Sequence, residues 1–144
     1  MYYFAYGMLT NIDSMKKHAK TAKCLGHASV AGYRFRFALH ADIVPDETSV
    51  CHGVLWEIDS NAIASLDLLE DYPEYYNKIN VDVMCQGIAY QAIAYIMQPS
   101  HNDEEPSEHY CNMVLGGYIA NNVPCEQILN ALLAIGPESK WQLD

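Results

Sequence analysis

Two apolar runs, residues 79–84 and 88–97, are separated by little more than Gln86-Gly87. So short a connection cannot cross over a sheet, so the two runs must pair as an antiparallel hairpin, with Gly87 suited to the positive φ of a tight turn. The chain before them repeats the strand pattern. Residues 2–6 form a short aromatic strand that runs into Gly7. Residues 29–39 alternate around Gly32, with Val30, Tyr33, Phe35 and Phe37 on strand positions. Residues 50–58 read as another strand, and Gly53 inside it marks a bulge or a close backbone approach. Residues 42–49 read as a polar loop between these two strands.

Helical signals are fewer and fall in two places. Residues 11–18 have the polarity of a short helix. Residues 60–71 read as a longer one, with Ser60 as its N-cap candidate and Pro73 just beyond its end. After the hairpin comes an acidic, solvated loop over residues 98–106. Ser107 then caps a helix that runs to about Asn121, and Pro124 falls in the first turn of a last helix that ends at Gly136-Pro137. Strands, one inserted helix, more strands and then two helices predict an α+β fold. The expected architecture is a small, mostly antiparallel, barrel-like β-sheet with flanking helices, in a single domain over residues 1–144.

Composition narrows the partners. Hydrophobic residues make up 51% of the 144 and charged residues only 18%, which fits a packed domain and not a disordered chain. The net charge of −10 argues against nucleic acid or an anionic membrane surface as partner. Lys16, Lys17, Lys20 and Lys23, the only basic cluster, read as a solvated helix face. No apolar run is long enough to span a bilayer, and the N-terminus shows no signal-peptide pattern. The five cysteines are odd in number and contain no Cys-x-x-Cys pair, so neither a zinc site nor a disulfide framework is expected, and reduced thiols fit a cytoplasmic protein.

One residue breaks its local pattern. At roughly 100° per residue, Glu70 projects between Ile63 and Leu66, on the helix stripe that otherwise reads as core. Burial there, and the negative end of the helix dipole, would each raise its pKa toward the range useful for proton transfer. On the helical wheel alone, a glutamate at a frayed helix end turned to solvent is the better reading, because carboxylates are rarely buried. Elsewhere, Tyr6-Gly7-Met8-Leu9 ends the first strand abruptly. A glycine there is suited to φ > 0, and successive free N–H groups in such a turn make a nest for a carboxylate or an oxyanion. Gly116-Gly117 inside the penultimate helix predicts a close helix–sheet contact. Cys51-His52 and His109-Tyr110-Cys111 are weak nucleophile candidates, since sequence neighbours rarely face each other. No histidine pair has the i, i+4 spacing of a helical metal site, and His40 with Asp42 reads as a structural polar contact at a strand end.

Together these segments resemble the gamma-glutamylcyclotransferase-like superfamily, which includes the AIG2-like proteins. Tyr3-Phe4-Ala5-Tyr6-Gly7-Met8-Leu9 looks like its N-terminal loop, and Gly53-Val54-Leu55-Trp56-Glu57-Ile58-Asp59 is similar to the strand before its catalytic helix. The segment from Leu66 to Tyr76 resembles its catalytic stretch, with the acid/base carboxylate on Glu70 and the following aromatic on Tyr76. Pro106-Ser107-Glu108-His109-Tyr110, Gly117 and Asn122-Val123-Pro124 resemble its C-terminal helices. The likeness runs nearly end to end. It departs at Met8-Leu9, where many members of the glutathione-metabolism branch have Ser-Asn, and at Asp71, where glycine is common.

The resemblance implies cleavage of a γ-glutamyl amide by its own α-amine, giving 5-oxoproline and a free amine or amino acid. It implies Glu70 as the proton shuttle, with Tyr6, Gly7, Met8, Leu9, Tyr76 and Tyr110 around a small-molecule γ-glutamyl substrate, and neither cofactor nor metal. It reverses the preference for a solvent-facing Glu70. The Met8-Leu9 departure keeps a second reading open, a non-catalytic member that binds a small ligand as a regulatory module. Which amine departs, and the oligomeric state, are not legible.

Overall fold

Gln86 and Gly87 take φ of 51° and 81°, the double positive turn that the hairpin requires. The two strands that they join, β4 (Tyr76–Cys85) and β5 (Ile88–Met97), pair in unbroken antiparallel register from Tyr76↔Met97 to Cys85↔Ile88. The computed structural model describes residues 1–136. Around the hairpin the sheet closes on itself in the order β1-β3-β2-β4-β5, with β1 (Tyr2–Ala5), β2 (Lys23–Ala38) and β3 (His40–Glu57) supplying the other staves. All neighbours are antiparallel except at the seam, where β1 meets β5 in parallel at Tyr3↔Ile93. The expected α+β barrel is present.

Among the described residues, four α-helices flank it. They are α1 (Ile12–His18), α2 (Ser60–Leu69), α3 (Glu108–Ala120) and α4 (Glu126–Leu133). Ser107 caps α3 as its hydroxyl accepts the Tyr110 N–H at 3.1 Å. The cap of α2 is Asp59, one residue before the expected Ser60. Its carboxylate is the stronger acceptor and takes the Ala62 N–H at 2.9 Å. Pro124 stands before the Cys125 cap of α4 and not inside its first turn, and the helix ends at Leu133, three residues short of Gly136. Pro137 lies outside the described residues.

The expected loop at residues 42–49 is a correction. Asp42 to Pro45 continue β3 and pair with β2 from Arg36↔Asp42 to Tyr33↔Pro45, so only residues 46–49 leave the ladder, between Tyr33↔Pro45 and Ala31↔Val50. Asp46 closes this excursion by accepting from the Thr48 and Ser49 hydroxyls, each at 2.8 Å. Polar residues at 40–45 survive in a strand because its buried members are satisfied. Asp42, 2% exposed, takes the Arg36 Nε and the Met97 N–H, both at 2.8 Å. It does not contact His40, as the sequence had suggested. Residues 98–106 are likewise less solvated than expected. The His101 carbonyl and Asp103 both accept from Arg36, and Glu104 forms a bridge with Ala38.

The core fills the barrel with Phe4, Phe37, Ile43, Leu55 and Val83 and extends to Leu66, Val114 and Tyr118 of the helices. Gly53 permits the β1–β3 contact, since a Cβ there would lie 2.9 Å from the Phe4 ring. Gly117 also marks a close approach, but against the 3₁₀ turn at Met8–Thr10 and not the sheet, because its Cβ would lie 2.6 Å from the Asn11 nitrogen.

Candidate active site

The segment after β1 is shaped by where its carbonyls go. The Tyr6 carbonyl accepts the Tyr118 hydroxyl at 2.5 Å, that of Gly7 accepts the Thr10 hydroxyl at 2.7 Å, and that of Leu9 accepts the Trp56 indole N–H at 3.0 Å. The Met8 carbonyl takes the Asn11 N–H, and the Thr10 carbonyl takes the Asn121 amide. With each carbonyl held by protein, the first N–H groups of the 3₁₀ turn are left to the other side, as at any helix start. Gly7 is not in the expected φ > 0 conformation; its φ is −117°. Its role is room, because a Cβ would stand 2.8 Å from the Ala41 methyl and 3.2 Å from the Tyr110 hydroxyl.

Tyr76 and Tyr110 converge on that same Ala41. Tyr76 donates to the Ala41 carbonyl at 2.7 Å, and the Tyr110 hydroxyl accepts the Ala41 N–H at 3.0 Å and also the Met8 N–H. Accepting two N–H groups leaves the Tyr110 proton free to donate elsewhere. Tyr6 spends its hydroxyl on the Tyr95 carbonyl, and Tyr95 spends its own on Asp67 at 2.5 Å.

Glu70 is fixed by how α2 stops. It is the C-cap, not a last-turn residue. The Asp71 N–H reaches the Leu68 carbonyl at 3.3 Å and the Tyr72 N–H reaches Asp67 at 2.9 Å, the two crossed bonds of a Schellman ending. That motif wants a left-handed residue next, and Asp71 takes φ of 50°. The glycine common at this position in the superfamily that the sequence resembles therefore has a conformational reason, and aspartate tolerates the same angle. The carboxyl of Glu70 has neither a hydrogen-bond nor an ion-pair partner among the described residues, and burial pushes its pKa up to about 7. Its charge in turn helps raise the pKa of Tyr3, Tyr6, Tyr76, Tyr95 and Tyr110, after burial, which is the largest cause for each.

These groups enclose one cavity of about 310 Å³, onto which Tyr6, Gly7, Met8, Leu9, Glu70, Tyr76 and Tyr110 all face. The structure thus gathers every residue that the sequence singled out for the site. It adds Tyr3, His40, Ala41, Leu69, Asp71, Tyr75 and Tyr95. Tyr3 is 5% exposed and its hydroxyl has no hydrogen-bond partner among the described residues, so the cavity is what it faces. A tyrosine on a short buried strand gave no sign of this. The support from Trp56, Tyr118 and Asn121 was equally hidden, since nothing local links them to residues 6–10.

Comparison with known proteins now bears on this geometry. The family model described as gamma-glutamyl cyclotransferase, AIG2-like, matches residues 3–112, which include Glu70 and each cavity residue named above. The chain belongs to this family. Among solved structures, a protein named gamma-glutamyl cyclotransferase shares the fold of this AIG2-like chain at a TM-score of 0.83 and 20% identity, over 100% of this chain and 93% of the other. YkqA of Bacillus subtilis superposes at 0.74 with 25% identity over 83% of this chain, which spans 48% of that protein. A Methanocaldococcus jannaschii protein provisionally named a gamma-glutamylcyclotransferase is 25% identical over 89 residues, 58% of this chain and 72% of its own length.

The other chemistry weighed from sequence is not built here. Burial raises the Cys51 thiol to about 12 and also raises that of Cys111, which keeps both protonated and poorly nucleophilic. No helix of the described residues is long and apolar enough to cross a membrane.

Proposed function

We propose that this chain is an active gamma-glutamyl cyclotransferase, with Glu70 as its acid/base group. The observation that carries the reading is an unpaired carboxyl in a tyrosine-lined cavity, with a pKa near 7. The reaction needs little else. The substrate's α-nitrogen attacks its own γ-carbonyl carbon, a five-membered ring forms, and the bond to the departing nitrogen breaks. No water is consumed, and the nucleophile is already tethered to its target. Glu70 takes a proton from the α-ammonium to free the nucleophile, returns it to the leaving nitrogen, and takes the second proton from the ring nitrogen as the lactam forms, passing it on to the released amine or to solvent. A group with a pKa near 7 serves each of these steps at neutral pH.

The oxyanion and the glutamyl carboxylate need donors. The free proton of Tyr110, the unpartnered hydroxyl of Tyr3 and the N–H groups of Gly7 and Leu9 would supply them, while the Met8 N–H holds Tyr110 in position. Tyr6 and Tyr76 hold the walls. The test is 5-oxoproline release from a panel of γ-glutamyl amino acids, amines and glutathione. Glu70→Gln should lose about 10²–10⁴-fold in turnover, whereas wild-type turnover by this variant would refute the assignment. One observation supports a second reading as a binding module, since Met8 brings a thioether to the cavity at the position where many members of the glutathione-metabolism branch have serine. Such a protein would be stabilised by 5-oxoproline or γ-glutamyl compounds while releasing no product.

A further inference from the structure

A second cavity, of about 230 Å³, lies between α4 and strands β2 and β3, and shares no residue with the site above. From the helix side Gln127, Asn130, Ala131 and Ala134 face it, an i, i+3, i+4, i+7 stripe. Two alanines stand where a closely packed helix would carry larger side chains, and the space stays open. From the strand side come Arg34, Arg36 and Val50, joined by Asp103 from the loop after β5. The volume falls below the roughly 300 Å³ at which pockets for drug-sized ligands begin, so the occupant is small.

Arg34 and Arg36 are the only arginines in the chain, and they are held differently. Arg36 donates from Nε to Asp42 and from Nη1 to the His101 carbonyl and to Asp103. Arg34 is 51% exposed and is held only at Nε, 3.5 Å from Asp46. Asp46 is already committed, since its oxygens accept from Thr48 and Ser49. Both terminal nitrogens of Arg34 are therefore unpartnered among the described residues, a fork shaped for a carboxylate. Asp103 is the converse. Its Oδ1 takes Arg36 at 3.2 Å, and its Oδ2 has no partner among the described residues. Two residues of strand, about 6.6 Å, separate Arg34 from the arginine that holds Asp103. A spare cationic fork and a spare carboxylate oxygen thus stand side by side over one small cavity, with Val50, Ala131 and Ala134 as its apolar wall. A simple anion there would meet Asp103, and a simple cation would meet Arg34. A ligand that carries both charges is complementary to both.

We infer that this second cavity binds a free aliphatic α-amino acid, its carboxylate on Arg34, its ammonium on Asp103 and its side chain against Val50 and the two alanines. The inference stands apart from the cyclotransferase reading and does not depend on it. Calorimetric titration with L-leucine, 4-methylpentanoate and 3-methylbutylamine separates the two charges, because the second compound lacks the ammonium and the third the carboxylate. Leucine should bind the wild-type protein about tenfold more tightly than either, the worth of one charge-assisted contact. Arg34→Gln should lower leucine to the level of 3-methylbutylamine, and Asp103→Asn should lower it to the level of 4-methylpentanoate. Both side chains are exposed enough, at 51% and 41%, for the fold to tolerate these changes. Ala134→Leu, at the exposed end of α4, leaves the charges in place and fills the cavity, and it should abolish binding of all three. Equal binding of the three compounds, or no heat at millimolar leucine, overturns the inference. So does leucine binding that none of the three substitutions weakens, which would put the amino acid in the tyrosine-lined cavity instead.

Discussion

Asp42 and Glu70 are carboxylates withdrawn from water within one small barrel, yet their surroundings are opposite. Asp42 meets a guanidinium and a backbone N–H, both at 2.8 Å, and its charge is fully spoken for. Glu70 meets tyrosines and open cavity, with no partner among the described residues and a pKa lifted to about 7. Asp67, one helical turn before Glu70, behaves like Asp42. Burial pushes its pKa up, but the hydrogen bonds from Lys78 and Tyr95 outweigh that and hold it below the usual carboxylate value. The lesson is that depth alone does not lift a carboxylate's pKa. The absence of a partner does, and a chain that pairs its other sheltered acids leaves this one alone.

Several substitutions would break or sharpen that contrast. The largest effect is expected at Asp42, where Asp42→Ala should cost about 3–5 kcal/mol, because it leaves the buried Met97 N–H unmet and takes from Arg36 its buried partner, leaving only the His101 carbonyl and the exposed Asp103. Urea denaturation reads this directly, and a loss below about 1 kcal/mol would place Asp42 with ordinary surface acids. Glu70→Gln should do the reverse. The native state holds the Glu70 proton more tightly than the unfolded chain does, with a pKa of about 7 against 4.5. Wild-type stability therefore falls as pH rises between those values and levels off above the higher one. Gln escapes that fall, so the variant should be more stable by about 2–3 kcal/mol at pH 8 and no more stable at pH 4. Denaturation midpoints across pH 4–9 check the window, and parallel curves for the two proteins would mean that Glu70 is not perturbed.

The kinetic counterpart is next in size. Under the proposed mechanism the unprotonated carboxylate starts the reaction, so kcat/KM should drop about tenfold for each pH unit below 7, an acid limb that reports the free enzyme. A limb centred near 4.5 would mean that an ordinary exposed carboxylate carries the chemistry. The smallest effect is at the Schellman ending. Asp71→Gly relieves a left-handed aspartate and should change stability by less than about 1 kcal/mol, in the favourable direction. Thermal melting would resolve it, and a loss would show that the Asp71 side chain supports the turn.

What the sequence disclosed, and what it concealed, divides along the range of the interactions. The 86–87 hairpin, the Ser107 cap and the glutamate at the end of α2 each rest on a few adjacent residues, and all were readable. Residues 42–45 were not, because Asp42, Pro45 and the polar run at 46–49 together mimic a loop, and the Arg36 and Met97 partners that make Asp42 tolerable in a strand are decided by pairing. Of the site, Glu70 and the Tyr6–Leu9 turn could be found through motif and break in pattern. Tyr3 and Tyr95 could not, since a tyrosine on a buried strand looks the same whether it faces core or cavity. The φ of Gly7 was misjudged for a related reason. Its constraint comes from Ala41 and Tyr110, distant in sequence, and not from its own turn.

The seam of the barrel has a temporal consequence. β1 contributes four residues and closes the sheet only when it has β3 on one side and β5 on the other, more than fifty residues away along the chain. The turn that follows it waits longer, for Trp56, Tyr118 and Asn121 to take its carbonyls. β1 and the turn after it are thus among the last segments to find their place, and the carboxylate of α2 has no chamber until they do. A half-made chain holds Glu70 against water as an unremarkable acid. The raised pKa arrives together with closure, so the finished barrel is the first form of the chain in which Glu70 differs from any surface glutamate.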